Sequence, residues 1–326
     1  MGEMYARGMA LLPRLVILVP LVLSIIGMVL SALALFAGNQ KGFMEEYAIA
    51  RLNVSMMGHD LLSKGGDDKK EDKRDDDDDD NGEWFSKLLD NVGEVGNDLV
   101  GDAVDDVADA LGISDWYSIH VMNACEGNFK SNGNASSSSL NTTNCTEASA
   151  GYRFNLTELL DKEMSVGPLD VNLNKLGWTD DIQKELNTIN NMLMGLFILY
   201  VLGMGLSSVS ILGSASAAVL PQTFREVSLA DRVSLANLVV AALAAASLTG
   251  ASIVVTVAVT VGIDGINKAG EKVGINVSRG TAFIAISWVA TAVMVSATVF
   301  WGVQFWMEKR KARALHSEKT GDGQTL

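Results

Sequence analysis

Four long apolar runs divide this chain and constrain its fold more than any other feature. None of them contains an ionisable Asp, Glu, Lys, Arg or His; they cover residues 15–37, 189–212, 235–262 and 282–306. A helix needs about 20 mostly apolar residues to cross a hydrocarbon core about 30 Å thick, and each run is that long. Because the backbone must satisfy its own hydrogen bonds inside lipid, such runs predict helices. The sequence therefore predicts an all-α membrane protein built on a four-transmembrane-helix bundle.

Basic residues beside the runs predict the orientation. Two arginines precede the first run, and Lys309–Arg313 follows the last. The first run is too long for the 7–15 apolar residues of a signal peptide, so we expect it to be retained. Since cytoplasmic connections are enriched in Lys and Arg, we expect both termini in the cytoplasm. The predicted cytoplasmic segments are the N-terminus 1–14, the loop 213–234 and the tail 307–326.

This orientation leaves two segments outside, a large loop at 38–188 and a short loop at 263–281. The short loop disagrees with the charge bias, because it carries Lys268, Lys272 and Arg279. The large loop holds 13 Lys/Arg and 31 Asp/Glu, a net charge of −18 in a chain whose total is −14. Such a surface repels nucleic acid and attracts cations and basic polymers.

Two parts of the large loop have distinct patterns. Residues 64–83 are low-complexity charged sequence without an apolar residue, and we expect them to be disordered because they cannot bury a core. A calcium site at Asp75–Asp80 is the alternative, but the spaced ligands and turn glycine of an EF-hand loop are missing. In residues 84–111, apolar positions recur at threes and fours, which predicts an amphipathic helix.

Cys125 and Cys145 are the only cysteines, and both lie in the large outer loop. Two cysteines in an oxidising compartment admit one pairing, so we expect a disulfide that closes this partly disordered loop. Closing a loop of about 20 residues stabilises a domain by about 3 kcal/mol in the chain-entropy model. The alternative is a metal-binding pair with His120 as third ligand, for which the spacing is poor.

N-glycosylation sequons support the same orientation. Five acceptors lie in the large loop: Asn53, Asn134, Asn141, Asn144 and Asn155. A sequon is useful only where its segment enters the secretory lumen, so their clustering predicts an outward-facing glycoprotein loop. A further sequon at Asn276 lies close to the last run, where we expect poor access for a transferase.

The stretch from Leu111 to Gly127 is the most specific in the chain. It contains the motif residues Trp116, Tyr117, Ser118, His120, Asn123, Cys125, Glu126 and Gly127. With the second cysteine and the four-span plan, this motif resembles the Sur-seven/PalI family of fungal four-span plasma-membrane proteins, which is claudin-like in layout.

That resemblance implies a multi-pass plasma-membrane protein that organises eisosome-type cortical domains and supports cell-wall integrity. The PalI branch implies an alternative, a role as accessory subunit or sensor in ambient-pH or wall-stress signalling. The tail after the last run is only about 20 residues long, shorter than the tail associated with PalI proteins.

The residues themselves predict no enzyme. The sequence has three histidines but no phosphate-loop motif, metalloprotease helix motif or Ser-His-Asp arrangement, so we expect no catalytic residue, cofactor or metal. The runs also lack the ionisable groups that mark proton relays and ion pathways in lipid. A channel or transporter remains a further alternative, with a pore lined by hydroxyls and backbone.

Small residues recur along the runs and predict close helix packing. They include Gly27, Ser31, Ala242, Ala246 and Gly250. Such faces let helices approach in lipid, either within one bundle or between copies. The expected partners are therefore membrane lipids and other membrane proteins in lateral homo- or hetero-oligomers. The family resemblance implies contact with the cell wall, and the acidic outer loop argues against nucleic acid.

Overall fold

A computed structural model describes residues 2–55, 114–129, 140–154, 180–219, 227–270 and 276–322. The chain divides into two compact units. The helical unit comprises Met1–Phe36, Gly195–Val255 and Phe283–Leu326, and the sheet unit comprises Ala37–Met194 and Thr256–Ala282. The predicted acidic insert at 64–83 and amphipathic helix at 84–111 lie outside the described residues.

The helices are α1 (Gly2–Phe36), α2 (Asp180–Val219), α3 (Val227–Val257), α4 (Ile263–Gly270) and α5 (Thr281–Asp322), with a π turn at Ala258–Gly262. Within the described residues, four helical stretches are long and apolar enough to span a membrane. They are Leu18–Phe36, Asn187–Ser216, Arg232–Lys268 and Thr281–Arg310. The predicted four-span plan is confirmed.

Small residues and hydroxyls set the packing of the helical unit. A Cβ at Gly27 would lie 2.5 Å from Sδ of Met294, so this glycine admits the methionine of α5. Gly203 of α2 does the same for Leu248 of α3, whose Cδ2 would lie 2.5 Å from an added Cβ. Ser31 is buried and donates to the carbonyl of Gly27 at 2.6 Å.

A chain of hydroxyl hydrogen bonds joins three helices in the same unit. Tyr200 of α2 donates to Ser287 Oγ at 2.7 Å, and the Ser287 and Ser252 hydroxyls are 2.7 Å apart. Ser252 also lies 2.9 Å from the Thr291 hydroxyl. All four side chains are buried, and in lipid such bonds contribute to helix association.

The buried face of α3 is displaced from the predicted stripe of small residues. Ala242 and Gly250 are half-buried and Ala246 is exposed. The buried positions of α3 in the described residues are Ser234, Asn237, Ala241, Ala244, Ala245, Leu248, Ala251, Ser252 and Val255. Packing within the chain centres on this face because Leu248 fits against Gly203, and lateral assembly through the predicted stripe stays a prediction.

The sheet unit contains five short strands that the sequence analysis did not anticipate. They are β1 (Ala50–Asn53), β2 (Trp116–Ile119), β3 (Ala124–Phe129), β4 (Leu140–Cys145) and β5 (Asn276–Arg279). The order across the sheet is β4-β3-β2-β1-β5, and all neighbours are antiparallel. A short 3-10 helix, Glu45–Tyr47, precedes β1. The fold is mostly helical, with this small sheet added.

Pairing of β5 with β1 joins the two predicted outer loops. Ala50 pairs with Arg279 and Asn53 with Asn276, so residues from the large loop and the short loop form one sheet. The basic charge in the short loop is also partly neutralised, because Arg279 donates to Asp264 at 2.6 Å.

Candidate functional site

The motif found in the sequence forms the β2–β3 hairpin. Trp116, Tyr117 and Ser118 lie on β2, His120 and Asn123 bound the turn, and Cys125, Glu126 and Gly127 lie on β3. The turn is closed by a hydrogen bond from the His120 amide to the Asn123 carbonyl at 2.9 Å. The hairpin is largely buried, so its residues contact the sheet unit rather than solvent.

The disulfide crosses directly between β3 and β4. Cys125 and Cys145 are partners in the strand register, and their sulfurs are bonded at 2.03 Å. The predicted disulfide is therefore present. It fixes the edge strand β4 to the motif hairpin, and it encloses the sequence between two cysteines that are 20 residues apart.

A buried polar cluster lies beside the disulfide and is built around Glu45. Ser118 donates to Glu45 Oε1, and His120 Nε2 lies 3.5 Å from the same oxygen. The Ser118 hydroxyl is also 3.3 Å from His120 Nε2. Arg51 donates to the backbone carbonyl of Glu45 at 3.0 Å. Since Glu45 is 7% exposed and His120 is fully buried, the cluster fastens the residues after α1 to the hairpin.

The electrostatics of the cluster favour a charged carboxylate. Burial alone would raise the pKa of the Glu45 carboxyl, but hydrogen bonds from His120 and Ser118 and the charges of His120 and Arg51 outweigh it and lower that pKa. Burial lowers the pKa of the Arg51 guanidinium, and Glu45 and Glu46 oppose this shift. The surroundings of Glu45 therefore stabilise its ionised carboxylate over the neutral acid.

The residue types of a catalytic triad are present in Ser118, His120 and Glu45, but their arrangement is not that of a triad. In a triad, the acid orients one imidazole nitrogen while the other nitrogen accepts the serine proton. Here Ser118 and His120 Nε2 approach the same carboxylate oxygen, and His120 Nδ1 has no hydrogen-bond partner among the described residues. The arrangement suits a structural fastening better than nucleophilic attack.

Glu45, His120 and Cys125 also place three metal-ligand atoms within 4.8 Å of one another. A thiolate is the form of cysteine that binds metal. The sulfur of Cys125 is bonded to Cys145, so it offers no thiolate in this state. Two remaining ligands do not make a zinc site, which takes four ligands in a structural centre.

Two glycines allow the close approaches in this site. Gly38 has a φ of +75°, and a Cβ there would collide with the His120 ring. Its carbonyl accepts from Asn123 Nδ2, and Cys125 Sγ lies 3.5 Å away. At Gly127, a Cβ would lie 2.5 Å from the Trp116 ring. Both positions exclude larger residues for steric reasons.

Two asparagine side chains fasten helices to other backbone segments of the sheet unit. Asn267 of α4 accepts from the Val277 amide at 2.7 Å and donates to the Val277 carbonyl at 3.1 Å. Asn190 of α2 makes the same paired contact with Phe154, at 2.7 and 2.8 Å. Each side-chain amide bonds to both the N–H and the C=O of one residue, as a neighbouring strand would.

The structure also places three of the five predicted glycan acceptors. Asn141 and Asn144 are exposed on β4, while Asn53 is half-buried at the end of β1. The side-chain oxygen Oδ1 of Asn53 accepts hydrogen bonds from the amide and the hydroxyl of Ser55 at 3.0 and 2.7 Å. Asn134 and Asn155 lie outside the described residues.

Four membrane-spanning helices and a disulfide-closed sheet define a multi-pass membrane protein. A sequence model of the SUR7/PalI family matches residues 16–300. The chain belongs to this family of non-enzymatic membrane proteins. No curated protein and no solved structure matches the chain.

Sequence reasoning found the hairpin residues of the site but missed their partners. Glu45 and Arg51 lie more than 60 residues before the motif, so local patterns give no reason to join them to it. Asn190 and Asn267 carry a weak signal, because each is a polar amide near the end of an apolar run. The tertiary structure identifies what these four residues contact.

Proposed function

We propose that the chain is a non-enzymatic plasma-membrane protein that organises eisosome-type cortical domains and supports cell-wall integrity. The observation that carries the proposal is a single sheet formed by strands from two separate extramembrane connections. The disulfide links its strands β3 and β4, Asn267 of α4 bonds to Val277 of β5, and Asn190 of α2 bonds to Phe154 outside the strands. A rigid surface of this kind suits lateral contacts with other membrane proteins better than turnover of a substrate.

The proposed orientation has both termini in the cytoplasm and the sheet unit outside. Sequons on β4 and a disulfide support it, since both modifications belong to the secretory compartment. The outer surface would then face the cell wall, and the bundle would assemble laterally.

Live imaging of a tagged chain tests the proposal. We expect stable cortical patches with slow fluorescence recovery. Asn267→Ala should disperse the patches without loss from the plasma membrane, because it removes both contacts to Val277. Ser278→Ala is the matched control, since it removes only an exposed 3.3 Å contact with the Arg51 carbonyl. An internal-membrane pattern, or free diffusion of the unchanged chain, would contradict the proposal.

A second candidate function is an accessory or sensor role in ambient-pH or wall-stress signalling. The specific observation in its favour is the buried contact between His120 Nε2 and Glu45 Oε1, which are 3.5 Å apart, within a cluster that lowers the pKa of the Glu45 carboxyl. Deleting the tail from Glu308 onward separates the two functions. A sensor should lose signalling and keep its location, whereas an organiser without a cytoplasmic partner should keep both its patches and the stress response.

A further inference from the structure

The sequon Asn144-Cys145-Thr146 overlaps the disulfide, so two covalent modifications share three consecutive residues. We propose that Asn144 receives an N-linked oligosaccharide only on chains whose Cys145 is still a free thiol, and that closure of the β3–β4 pair ends its availability. This inference rests on the proposed outward orientation of the sheet unit. It makes Asn144 a conditional site whose occupancy reports the timing of disulfide formation.

The finished fold has room for a glycan on Asn144. A bulge between Glu126 and Gly127 leaves Thr143 without a partner, so Asn141 pairs with Asn128 and Asn144 with Glu126. Because alternate residues of a strand point to opposite faces, Asn128 and Glu126 share a face, and the bulge brings Asn141 and Asn144 onto that face together. Asn144 is exposed there. Cys145 is turned to the opposite face, toward Cys125.

In the same fold, the other two residues of the sequon, Cys145 and Thr146, are bonded to β3. The Thr146 hydroxyl accepts from the Ala124 amide at 3.0 Å and lies 3.3 Å from the Ala124 carbonyl, to which it donates. The Thr146 amide donates to that carbonyl at 2.9 Å. The hydroxyl residue is an obligatory part of the acceptor sequence. In the closed hairpin, this hydroxyl and the central cysteine are both engaged by β3.

The two reactions can therefore occur in only one order. In glycan transfer, Asn144 Nδ2 forms a bond to the anomeric carbon of the sugar, the bond from that carbon to a diphosphate-lipid carrier breaks, and an amide proton is released. In closure, two thiols lose two electrons and two protons to a disulfide oxidant, which becomes two thiols. A glycan on the exposed face does not obstruct later closure, whereas prior closure removes the acceptor.

The sequon Asn141-Thr142-Thr143 is a matched internal control. It lies on the same strand, and its acceptor shares the face of Asn144. Its hydroxyl is also bonded to β3, since Thr143 donates to the Glu126 carbonyl at 3.1 Å. The difference between the two sequons is the central residue, which is a threonine here and a disulfide-forming cysteine at 145. No cysteine chemistry competes directly for this acceptor, so its occupancy reports access to the transferase.

The test is site-resolved mass spectrometry of the full chain made in eukaryotic secretory cells. Cys125→Ser leaves the sequon intact and removes the disulfide partner of Cys145. We expect Asn144 occupancy to rise several-fold relative to Asn141. A pulse of dithiothreitol on cells that make the unchanged chain should produce the same rise without a substitution.

Gly127→Ala controls for general disturbance of the hairpin and of β4, since its Cβ would collide with the Asn141 carbonyl and the Trp116 ring while both cysteines remain; its readout is Asn144 occupancy itself and not the ratio to Asn141. On molecules that still form the disulfide, Asn144 occupancy should stay near that of the unchanged chain. The proposal is overturned if Cys125→Ser leaves the occupancy ratio unchanged while Asn141 is modified, or if Gly127→Ala raises Asn144 equally with the disulfide closed. If no sequon is modified in any variant, the proposed orientation falls as well.

Discussion

Glu45 is the residue on which the buried contacts of the sheet unit converge. Its folded pKa lies below the ordinary value of 4.5, so its ionised form stabilises the fold. This contribution should be fully present above pH 4.5 and should decline as the pH falls toward the lowered folded pKa. Thermal unfolding in nanodiscs between about pH 3 and pH 7 should show the decline.

Glu45→Gln should flatten that acid-side pH dependence, because the replaced side chain no longer titrates. Glu46→Gln is the control, since Glu46 is exposed and neighbours Glu45 in the chain. An equal effect of the two substitutions would show that the dependence comes from net charge rather than from the buried cluster.

Gly38 and Gly42 form a matched pair for testing steric demand. Both have a φ of +75°, but a Cβ at Gly42 would meet nothing within 4 Å, whereas one at Gly38 would meet the His120 ring. We expect Gly42→Ala to cost about 1–2 kcal/mol, the ordinary cost of a side chain in the left-handed region. Gly38→Ala should cost more and should lower surface delivery. Equal losses of stability for the two variants, measured by thermal unfolding, would show that the His120 contact does not set the demand for glycine at position 38.

At the scale of elements, asparagine side chains hold helices to other backbone segments of the sheet unit. Asn190→Ala should leave the Phe154 amide and carbonyl unpaired, and an unsatisfied buried group costs about 1–3 kcal/mol. Hydrogen exchange should report faster opening at the Phe154 amide, with little change in the β2–β3 pairing. Unchanged exchange at Phe154 would mean that another group replaces the Asn190 side chain.

The hydrogen-bonded hydroxyls between the helices should contribute less to the free energy of unfolding than the Asn190 side chain does. Ser252→Ala removes contacts with Ser287 and Thr291, and interhelical hydrogen bonds in membranes average about 0.6 kcal/mol, reaching about 1.7. Ser247→Ala is the control, because Ser247 donates only to the Leu243 carbonyl of its own helix, at 2.9 Å, among the contacts described. Denaturant unfolding in mixed micelles should separate the variants. A larger loss of unfolding free energy for Ser247→Ala than for Ser252→Ala would contradict this prediction.

For the whole molecule, the β1–β5 pairing requires that the two outer connections share one side of the membrane. A cysteine introduced as Ser278→Cys should react with an impermeant maleimide on intact cells, and a tag at residue 320 should not be accessible. The reverse pattern would invert the topology. Accessibility at both positions would contradict the four-span arrangement.

The sequence alone determined the membrane class, the number of spans and the disulfide. Each depends on local composition or on a count: about 20 apolar residues for a span, and two cysteines with one possible pairing. The hairpin residues were also found in the sequence, because Trp116 through Gly127 form one continuous motif. The physical demands behind these features act within short segments, so a linear pattern records them.

Tertiary structure alone decided the sheet, the buried face of α3 and the partners of the motif. Strands of four to six residues carry too little alternation to be recognised, and β1 is completed by β2 and β5 from distant parts of the chain. Which face of α3 is buried depends on Leu248 meeting Gly203, a contact between helices. Glu45 becomes part of the site only when folding brings it against Ser118 and His120, because burial and hydrogen bonding are properties of neighbours in space.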